Sequence, residues 1–501
     1  MPTLGIELSD AGLRAATCTG GEARVLDVAD RTGATDWPGF AYHEGAHFTF
    51  GRAAEDMWFV HPRRVAHTFW AKLAHDSVST LNVVNRSPSF SELAFFFLRE
   101  YAARLAATAG VPTSLVLAVP GSYLKDETTE DEKIGLLLGM MSELRLPLAG
   151  IVDMACAALC DPRAPGFNPT LPVVVIDVQL EGADLTLLAI DGKLERKHFL
   201  HLPNSGYAQL LKHLTATMGN RFLRHTAFDI LEDGRVEQTF FRQTKDFLES
   251  GADEHRYQLN TASRNYEMLG KHDQLVADTQ GFVNTLVQGL HSFVDHTAHA
   301  PGLCTLALTA RTAGLPGLEA RLRAAGFMRQ IRLPAGAAAA GAARIGEQRL
   351  RPPEDVAEVP VETSVPLSDT RRMTTTAWEA RLQKSRQAEP RLAPTHAILD
   401  GIGHSLAGAG RFTIGSAGDQ TDVALPEAFN TLDDCLVPLI RDNGRVWFVD
   451  AAPPGDTPNG GPTPRIAVEA GDRLTIRCGP ASAEVIFAHC PANGAHTKLD
   501  R

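Results

Sequence analysis

The sequence predicts an α/β region, then a linker, then a small all-β sandwich, and three observations carry that reading. Apolar strand patterns alternate with helical periodicity through residue 347. Residues 348–395 then become rich in Pro, Arg, Glu and Thr, as an extended connector does. From 396 to 501, short β-patterned runs are separated by Gly, Pro and Asp turns. Domains are therefore expected at 1–347 and 396–501, joined by 348–395.

In chain order, residues 4–8 (LGIEL) read as a short strand that turns at 9–12 and returns over 13–18. Apolar residues at helical spacing over 88–110, behind a capping Ser, predict a helix. Residues 114–119 form a buried-strand pattern closed by Pro120-Gly121, and a charged helix start follows at 125–132. Helices are expected over 131–143 and 151–160, and a Pro/Gly-rich turn at 162–172 leads into a hairpin. One arm is the run Val173-Val174-Val175-Ile176, the tip is acidic, and the other arm covers 185–190. Amphipathic helices are expected at 205–220 and 274–297, a strand at 305–308 and a helix at 317–325. Within the linker, 377–387 is a helix-compatible island. The C-terminal runs are RFTIG, VPLIRD, RVWFVDA, RIAVEAGDRLTIRC and AEVIFAH, and no internal sequence repeat is visible.

With 501 residues and about 150 per domain, the chain has room for two to four domains. Its net charge of −11 argues against a general nucleic-acid binder, which needs a basic footprint to release counterions. No apolar run approaches a bilayer span, and residues 1–30 lack a basic stretch followed by an apolar core. The expected location is cytoplasmic, with no membrane partner. Seven scattered cysteines without a Cys-x-x-Cys pair fit reduced thiols.

Four constellations take the plainer of two readings. Gly403-His404-Ser405-Leu406-Ala407-Gly408 has the letters of a nucleophile elbow but reads as a turn, since a Gly-rich turn and a β-strand pattern follow where the elbow needs a helix, and fewer than a hundred residues remain for its acid and base partners. His291, Asp295 and His299 share a helix face, yet Pro301 ends that helix, so they read as structural or solvated rather than as metal ligands. Cys156 and Cys160 lie one helical turn apart and read as buried. Pro62-Arg63-Arg64 reads as a solvated turn, with docking of an acidic partner as the alternative.

The order of segments over the first 347 residues resembles the nucleotide-binding domain of the seventy-kilodalton heat-shock chaperones, within the actin/sugar-kinase superfamily. LGIELSDAGLRAA is similar to the first phosphate loop, and FGRAAEDM with HPRRVAHTFWAKLA to the segment leading to a catalytic lysine, here Lys72. LVLAVPGSYL and AGIVDMACAALCD are similar to the next strand and acid-started helix, and the acidic hairpin to the second phosphate loop. RQTKDFLE resembles the adenine-pocket helix, LALTARTAGLPGLEARLRAAGF the adenosine motif, and LPAGAAAAGAARIG the closing helix. The resemblance implies a two-lobed actin-like ATPase fold that binds ATP or ADP with Mg2+. It implies catalytic roles for Lys72, Asp153, Asp177 and Asp184. Glu7, Asp10, Gly182, Lys245 and Arg311 would contact the cofactor, and Glu7 and Asp177 would serve the metal.

The chain departs from that family where glycines should be. The first loop reads Glu7-Leu8-Ser9-Asp10-Ala11, lacking the phosphate-facing glycine and both hydroxyls. Asp10 stands where phosphate oxygens would lie, and two anions at close range repel unless a metal intervenes. In the second loop three glycines become Gln179, Leu180 and Glu181, and side chains there keep backbone amides from a phosphate. Ala310-Arg311 replaces the glycine pair of the adenosine motif, Asp246 stands beside Lys245 where the family has arginine, and Asp153 replaces a glutamate. The expected cofactor is therefore ATP or ADP with Mg2+, or none, and hydrolysis is expected to be weak or absent.

Beyond the cleft, VETSVPLSD resembles the start of the chaperones' peptide-clamping module, but the clamp and lid sequences are missing. The segment from 396 instead resembles a forkhead-associated domain through RFTIG, TDVALPEAFNTLDD, RVWFVDA, PNGG and RIAVEAGDRLTI. Its phosphothreonine-reading residues are replaced: Ser416 follows Gly415, Thr431-Leu432-Asp433-Asp434 replaces the Ser/Arg/His set, and only Asn459-Gly460 survives. Asp433 and Asp434 would repel a phosphate. The expected function is a divergent chaperone-like scaffold, nucleotide-tuned or nucleotide-free, that meets protein partners through the sandwich and linker. The alternative is a working Mg-dependent ATPase of the chaperone type.

Overall fold

A buried hairpin starts the chain: β1 (Thr3–Ser9) pairs antiparallel with β2 (Gly12–Thr19), which pairs with β3 (Glu22–Val25). All seven β1 residues are buried, so this strand is a sheet centre from the outset. β4 (Ala41–Glu44), β5 (His47–Phe50) and β6 (Val65–Ala66) form a small separate sheet, with α1 (Arg52–Glu55) after β5. α2 (Phe90–Ala109) begins in a capping box, where Ser89 Oγ accepts from the Glu92 amide at 3.0 Å and Glu92 Oε2 from the Ser89 amide at 2.9 Å. It buries Leu93, Phe97, Leu98 and Tyr101 and stops at Gly110, whose φ of 78° glycine adopts without strain. β7 (Leu115–Val119) enters parallel to β1, α3 (Glu127–Glu143) crosses back, and β8 (Leu148–Asp153) lies parallel to β7. The helix expected over 151–160 is therefore strand as far as Asp153, and only then α4 (Met154–Leu159). Both elements are buried on every side, and in such a run period does not separate strand from helix. These elements come from a computed structural model that describes residues 3–28, 36–167, 171–261, 264–297, 299, 301–366, 378–383, 392–406, 411–415, 422–426, 436–442, 445–449, 465–478 and 481–490.

The same plan then recurs. β9 (Val173–Val178), β10 (Ala183–Ile190) and β11 (Lys193–Leu202) form an antiparallel meander. Val173, Val174, Val175 and Ile176 are at most 3% exposed, and burying each such side chain is worth about 1.5–3 kcal/mol. Next come α5 (Tyr207–Thr226), α6 (Gly234–Ser250), the hairpin β12 (Glu254–Asn260) and β13 (Asn265–Lys271), and α7 (His272–His296). β14 (Thr305–Leu308) returns parallel to β9. After α8 (Ala310–Ala313) and α9 (Leu318–Ala324), β15 (Arg329–Arg332) lies parallel to β14. The two sheets run β3-β2-β1-β7-β8 and β11-β10-β9-β14-β15, with the same sense of pairing at each step. The repeat absent from the sequence is present in the topology, which depends on pattern rather than residue identity.

α10 (Ala337–Arg349) closes the arrangement. Its Ala/Gly-rich surface lets backbones touch: a Cβ on Gly341 would collide with the Ala157 carbonyl oxygen, and one on Gly5 with that of Ala339. Residues 348–366, expected within the linker, are instead built into the α/β unit. β16 (Val361–Glu362) pairs parallel with β8, and β17 (Ser364–Pro366) antiparallel with β11, so this short stretch joins the edges of both sheets. Arg349 also pairs with Glu362. Strands of two and three residues are too short to show a period.

By contact density the chain divides into two units, Met1–Arg371 and Arg372–Arg501. In the second, β18 (Trp378–Gln383) replaces the helix expected over 377–387, held by β26 (Arg473–Cys478) in register from Trp378 to Gln383. Helix-compatible sequence there is overridden by pairing with a distant partner strand. β19 (His396–Leu399) and β20 (Ile402–Ser405) complete one five-stranded sheet, ordered β18-β26-β27-β19-β20, with β27 (Ala481–Ala488). The other is β22-β21-β23-β24-β25, from β21 (Arg411–Gly415), β22 (Val423–Ala424), β23 (Leu436–Asp442), β24 (Arg445–Val449) and β25 (Arg465–Val468). Ile414, Leu439 and Phe448 of one sheet share a core with Leu474, Val485 and Phe487 of the other, which makes a sandwich. Among the described residues no helix is long and apolar enough to cross a membrane.

Candidate functional site

The turns that follow β1 and β9 occupy equivalent places in the two sheets, and they meet. Asp10, 4% exposed, turns its carboxylate onto the second turn: the Leu180 amide donates to Oδ1 at 2.6 Å and the Glu181 amide to Oδ2 at 2.9 Å. Burial pushes the Asp10 carboxyl up to about 7, against the pull of those two amides and Arg311. The second turn is held from behind, because the Tyr207 and Ala208 amides at the start of α5 donate to the Gln179 and Leu180 carbonyls. Gly182 packs against the His201 ring, and a Cβ there would sit 2.5 Å from Cε1.

One step deeper, Gln179 lies between the two aspartates of the hairpin. Its Nε2 donates to Asp177 Oδ2 at 3.1 Å and to Asp184 Oδ2 at 3.2 Å. Thr309, in the strand-to-helix turn after β14, donates to Asp177 Oδ1 at 2.9 Å. His201 Nδ1 lies 2.7 Å from Asp184 Oδ1. Burial raises the Asp184 carboxyl while His201 holds it down, and the bond to Asp184 raises the imidazole in turn. His67 makes a similar contact with Glu181 at 2.7 Å.

Glu7 is paired with Arg14 across the β1–β2 hairpin at 3.0 Å. Burial works against the Arg14 charge, but Glu7, Asp36 and Asp177 together raise its affinity for the proton. Asp153 is fully buried; it caps α4 through the Ala155 and Cys156 amides and pairs with Arg196 of β11 at 3.1 Å. Burial raises its carboxyl despite Arg196. Lys245 lies apart from these groups, buried against Glu55 at 2.6 Å, with Arg52 on the same carboxylate at 3.1 Å. Arg311 donates to the Val178 carbonyl at 3.2 Å and stands over the Tyr207 ring.

Lys72 does not join the cluster. It is exposed, with Nζ 6.0 Å from the centre of the Phe90 ring. The lysine whose charge reaches Asp10 and Asp184 is Lys133 of α3, which donates to the Ala71 carbonyl at 3.2 Å over the Tyr123 ring. Burial lowers its amine to about 8.

Beside this cluster is a cavity of about 30 Å3 bordered by Glu7, Arg14, Asp177, Gln179, Asp184 and Thr309. That is room for a water or two, whereas pockets for nucleotide-sized ligands run to about 300–1,000 Å3. A Mg-nucleotide does not fit this donor set. The amides that would take a phosphate are held by Asp10, and the Asp177–Asp184 gap is filled by an amide nitrogen. Glu7, expected at the metal, is neutralised by Arg14. Among the described residues no group of three or more His, Cys, Asp or Glu side chains is arranged to hold a metal ion.

Of the residues expected at the site, Glu7, Asp10, Asp177, Gly182, Asp184 and Arg311 thus lie in or beside the cleft. Asp153 and Lys245 are buried in pairs near its ends, and Lys72 lies outside. Arg14, Gln179, Arg196, His201 and Thr309 were missed, and so was Lys133. Gln179 alone had a signal, since it replaces a glycine between the two aspartates. In the sandwich, Gly415 ends β21, whereas Ser416, Thr431 to Asp434 and Asn459-Gly460 lie outside the described residues. Gly403 to Ser405 lie on a strand, and Cys156 and Cys160 are buried as expected. No protein-family model and no curated protein matches this sequence.

Proposed function

We propose that this chain is a divergent, two-lobed actin-like protein whose cleft is filled by its own side chains, and that it works as a nucleotide-free protein-interaction scaffold. The duplicated sheet topology, with α10 packed on β1 and α4, supports the two-lobed reading. The observation that carries the functional one is the Asp10 carboxylate on the Leu180 and Glu181 amides, at 2.6 and 2.9 Å. A charge-assisted contact of this kind occupies the donors a phosphate would use. Gln179 does the same between Asp177 and Asp184, so both halves of a metal–phosphate group have an internal counterpart.

In this reading the α/β unit is a rigid body, and the forkhead-associated-like sandwich and residues 367–395 offer surfaces to protein partners in the cytoplasm. A net charge of −11 favours protein over nucleic-acid partners. Isothermal calorimetry of the full chain with ATP and ADP, with and without Mg2+, tests the proposal, and no saturable heat is expected. Saturable binding without phosphate release would replace it by the nucleotide-tuned scaffold. Steady release of phosphate would restore the ATPase reading.

A further inference from the structure

The Arg63-Arg64 turn, set aside as solvated in the sequence, lies at one rim of two adjoining hollows that share no lining residue with the cleft cavity. The β4–β5 hairpin forms part of the wall of both. One hollow, about 660 Å3, has Phe48, Phe50 and Phe96 in its wall. The other, about 640 Å3, is bordered by His43, Pro62, Arg63 and Arg64. Val84 lines both hollows, so it stands on the ridge between them.

That ridge is costly to build. Val83 and Arg86 exchange backbone hydrogen bonds of 2.8 and 3.1 Å around a two-residue turn, with φ of 50° at Val84 and 63° at Asn85. Such turns favour Asn-Gly, and a β-branched residue at positive φ is strained. Val84 is also surface rather than core, with 69% of its area open. An apolar side chain is thus held out, under strain, between two concavities.

The charge around the hollows runs against the charge of the whole chain. Arg86 is taken up by Glu92 at 2.9 Å, and Glu100 by Arg104 at 3.1 Å. Arg99 lies over the Phe96 ring at 4.9 Å. Among the described residues, Arg63, Arg64 and Arg99 have no ion pair, and all three are exposed. On a chain with 59 acidic and 48 basic residues, this is a local cationic rim around an aromatic wall.

We propose that these hollows form a docking surface for an acidic peptide segment of a partner protein, carrying one aromatic or large aliphatic anchor. The anchor enters the Phe48–Phe96 hollow, where the two rings lie 5.9 Å apart, and carboxylates on either side meet Arg99 and the Arg63-Arg64 rim. Guanidinium groups pair with carboxylates through two parallel hydrogen bonds, and buried anchors in pockets carry most interface energy. A single-stranded nucleic acid is the weaker candidate. It needs open ring faces for stacking and many phosphate contacts, whereas Phe50 is only 4% exposed and three guanidinium groups lack partners.

The test uses the full chain and fluorescence anisotropy with three labelled probes. The first is a pool of short Glu/Asp-rich peptides with one central Phe, Trp or Leu; the second is the same pool with Lys for every acid; the third is an oligothymidylate. The acidic pool alone should bind saturably. The triple variant Arg63→Glu, Arg64→Glu, Arg99→Glu, folded by circular dichroism because all three positions are exposed, should weaken it by about tenfold or more. Val84→Asp should weaken it by about threefold or more. No saturable binding of the acidic pool up to about 1 mM, or equal binding to the triple variant, overturns the proposal. Tighter binding of the oligothymidylate than of the acidic pool overturns it in favour of nucleic acid. The result is independent of the cleft, whose residues none of these variants touches.

Discussion

The two halves of the α/β unit share one sheet topology but divide the chemistry of their junction unequally. The first half, through α4, supplies acids, buried except for the half-buried Asp56, and the second supplies donors. Asp10 meets the Leu180 and Glu181 amides, Asp153 meets Arg196, Glu55 meets Lys245, and Asp56 meets Arg242 at 3.2 Å. His67 with Glu181 runs the other way. A duplicated plan has thus become complementary in charge, and a cleft that could have opened onto a ligand is closed by its own pairs. Closure of this kind is strong where the acid is driest, because an acid stranded without its partner has no water to turn to.

Arg196 should therefore show the largest effect. Arg196→Met strands the fully buried Asp153 and should cost about 3–5 kcal/mol in urea unfolding. Adding Asp153→Asn to the same chain should recover part of that loss. A cost below about 1 kcal/mol for the single change would mean that the junction does not rest on buried acids.

Asp10→Ala comes next. It leaves two amides without an acceptor and should cost on the order of 2–4 kcal/mol. If the duplicated turns merely touch, the cost will be that of an ordinary turn substitution, within about 0.5 kcal/mol. The same variant sharpens the functional reading: calorimetry should detect inorganic phosphate or sulfate binding that the parent chain does not show, since the freed amides regain an open face.

A third difference is in pH dependence. The Asp10 carboxyl stands near 7 in the folded chain against 3.8 unfolded, so between those values the folded state holds more protons. Stability from this group is fully present below about 4 and is lost as pH rises to about 7, by at most about 1.4 kcal/mol per unit. Asp184 and His201, both raised, act in the same direction. Chemical unfolding across pH 4–7 should show a falling stability, with a shallower fall in Asp10→Asn. An equal slope in both chains would place the titration elsewhere.

How much of this was legible in the sequence follows from what each feature depends on. β1, β7 and β14 were readable because sheet centres are apolar on both faces and bounded by turns. β16 and β17 were not, because two and three residues show no period, and β18 was not, because its pairing with β26 far along the chain decides its identity. The frame of the cleft was readable through Asp177 and Asp184, which keep their spacing of seven. Its closure was not, since the acceptors of the Leu180 and Glu181 amides lie 170 and 171 residues away. Asp10 looked like an intruder in a phosphate loop, and repulsion was the expectation. The opposing turn offers two donors instead, so the carboxylate is held there.

The smallest effect separates inheritance from use. Lys72 is the lysine that the sequence resemblance names as catalytic, yet it is exposed, with Nζ 6.0 Å from the centre of the Phe90 ring. Lys72→Ala should change stability by no more than about 0.5 kcal/mol. Lys133, whose charge reaches Asp10 and Asp184, contacts the Ala71 carbonyl and the Tyr123 ring at 3.2 and 4.3 Å. Lys133→Ala should cost about 1 kcal/mol, combining a hydrogen bond and a cation–π contact that is partly screened. Its amine, lowered to about 8 by burial, also keeps its positive charge near Asp10 and Asp184 at neutral pH. Removing that charge should therefore steepen the acid-to-neutral fall in stability, because the ionised carboxylates lose a cation. If Lys72→Ala proves the costlier of the two, the lysine facing the cleft is the one its sequence position names, and Lys133 is a surface contact.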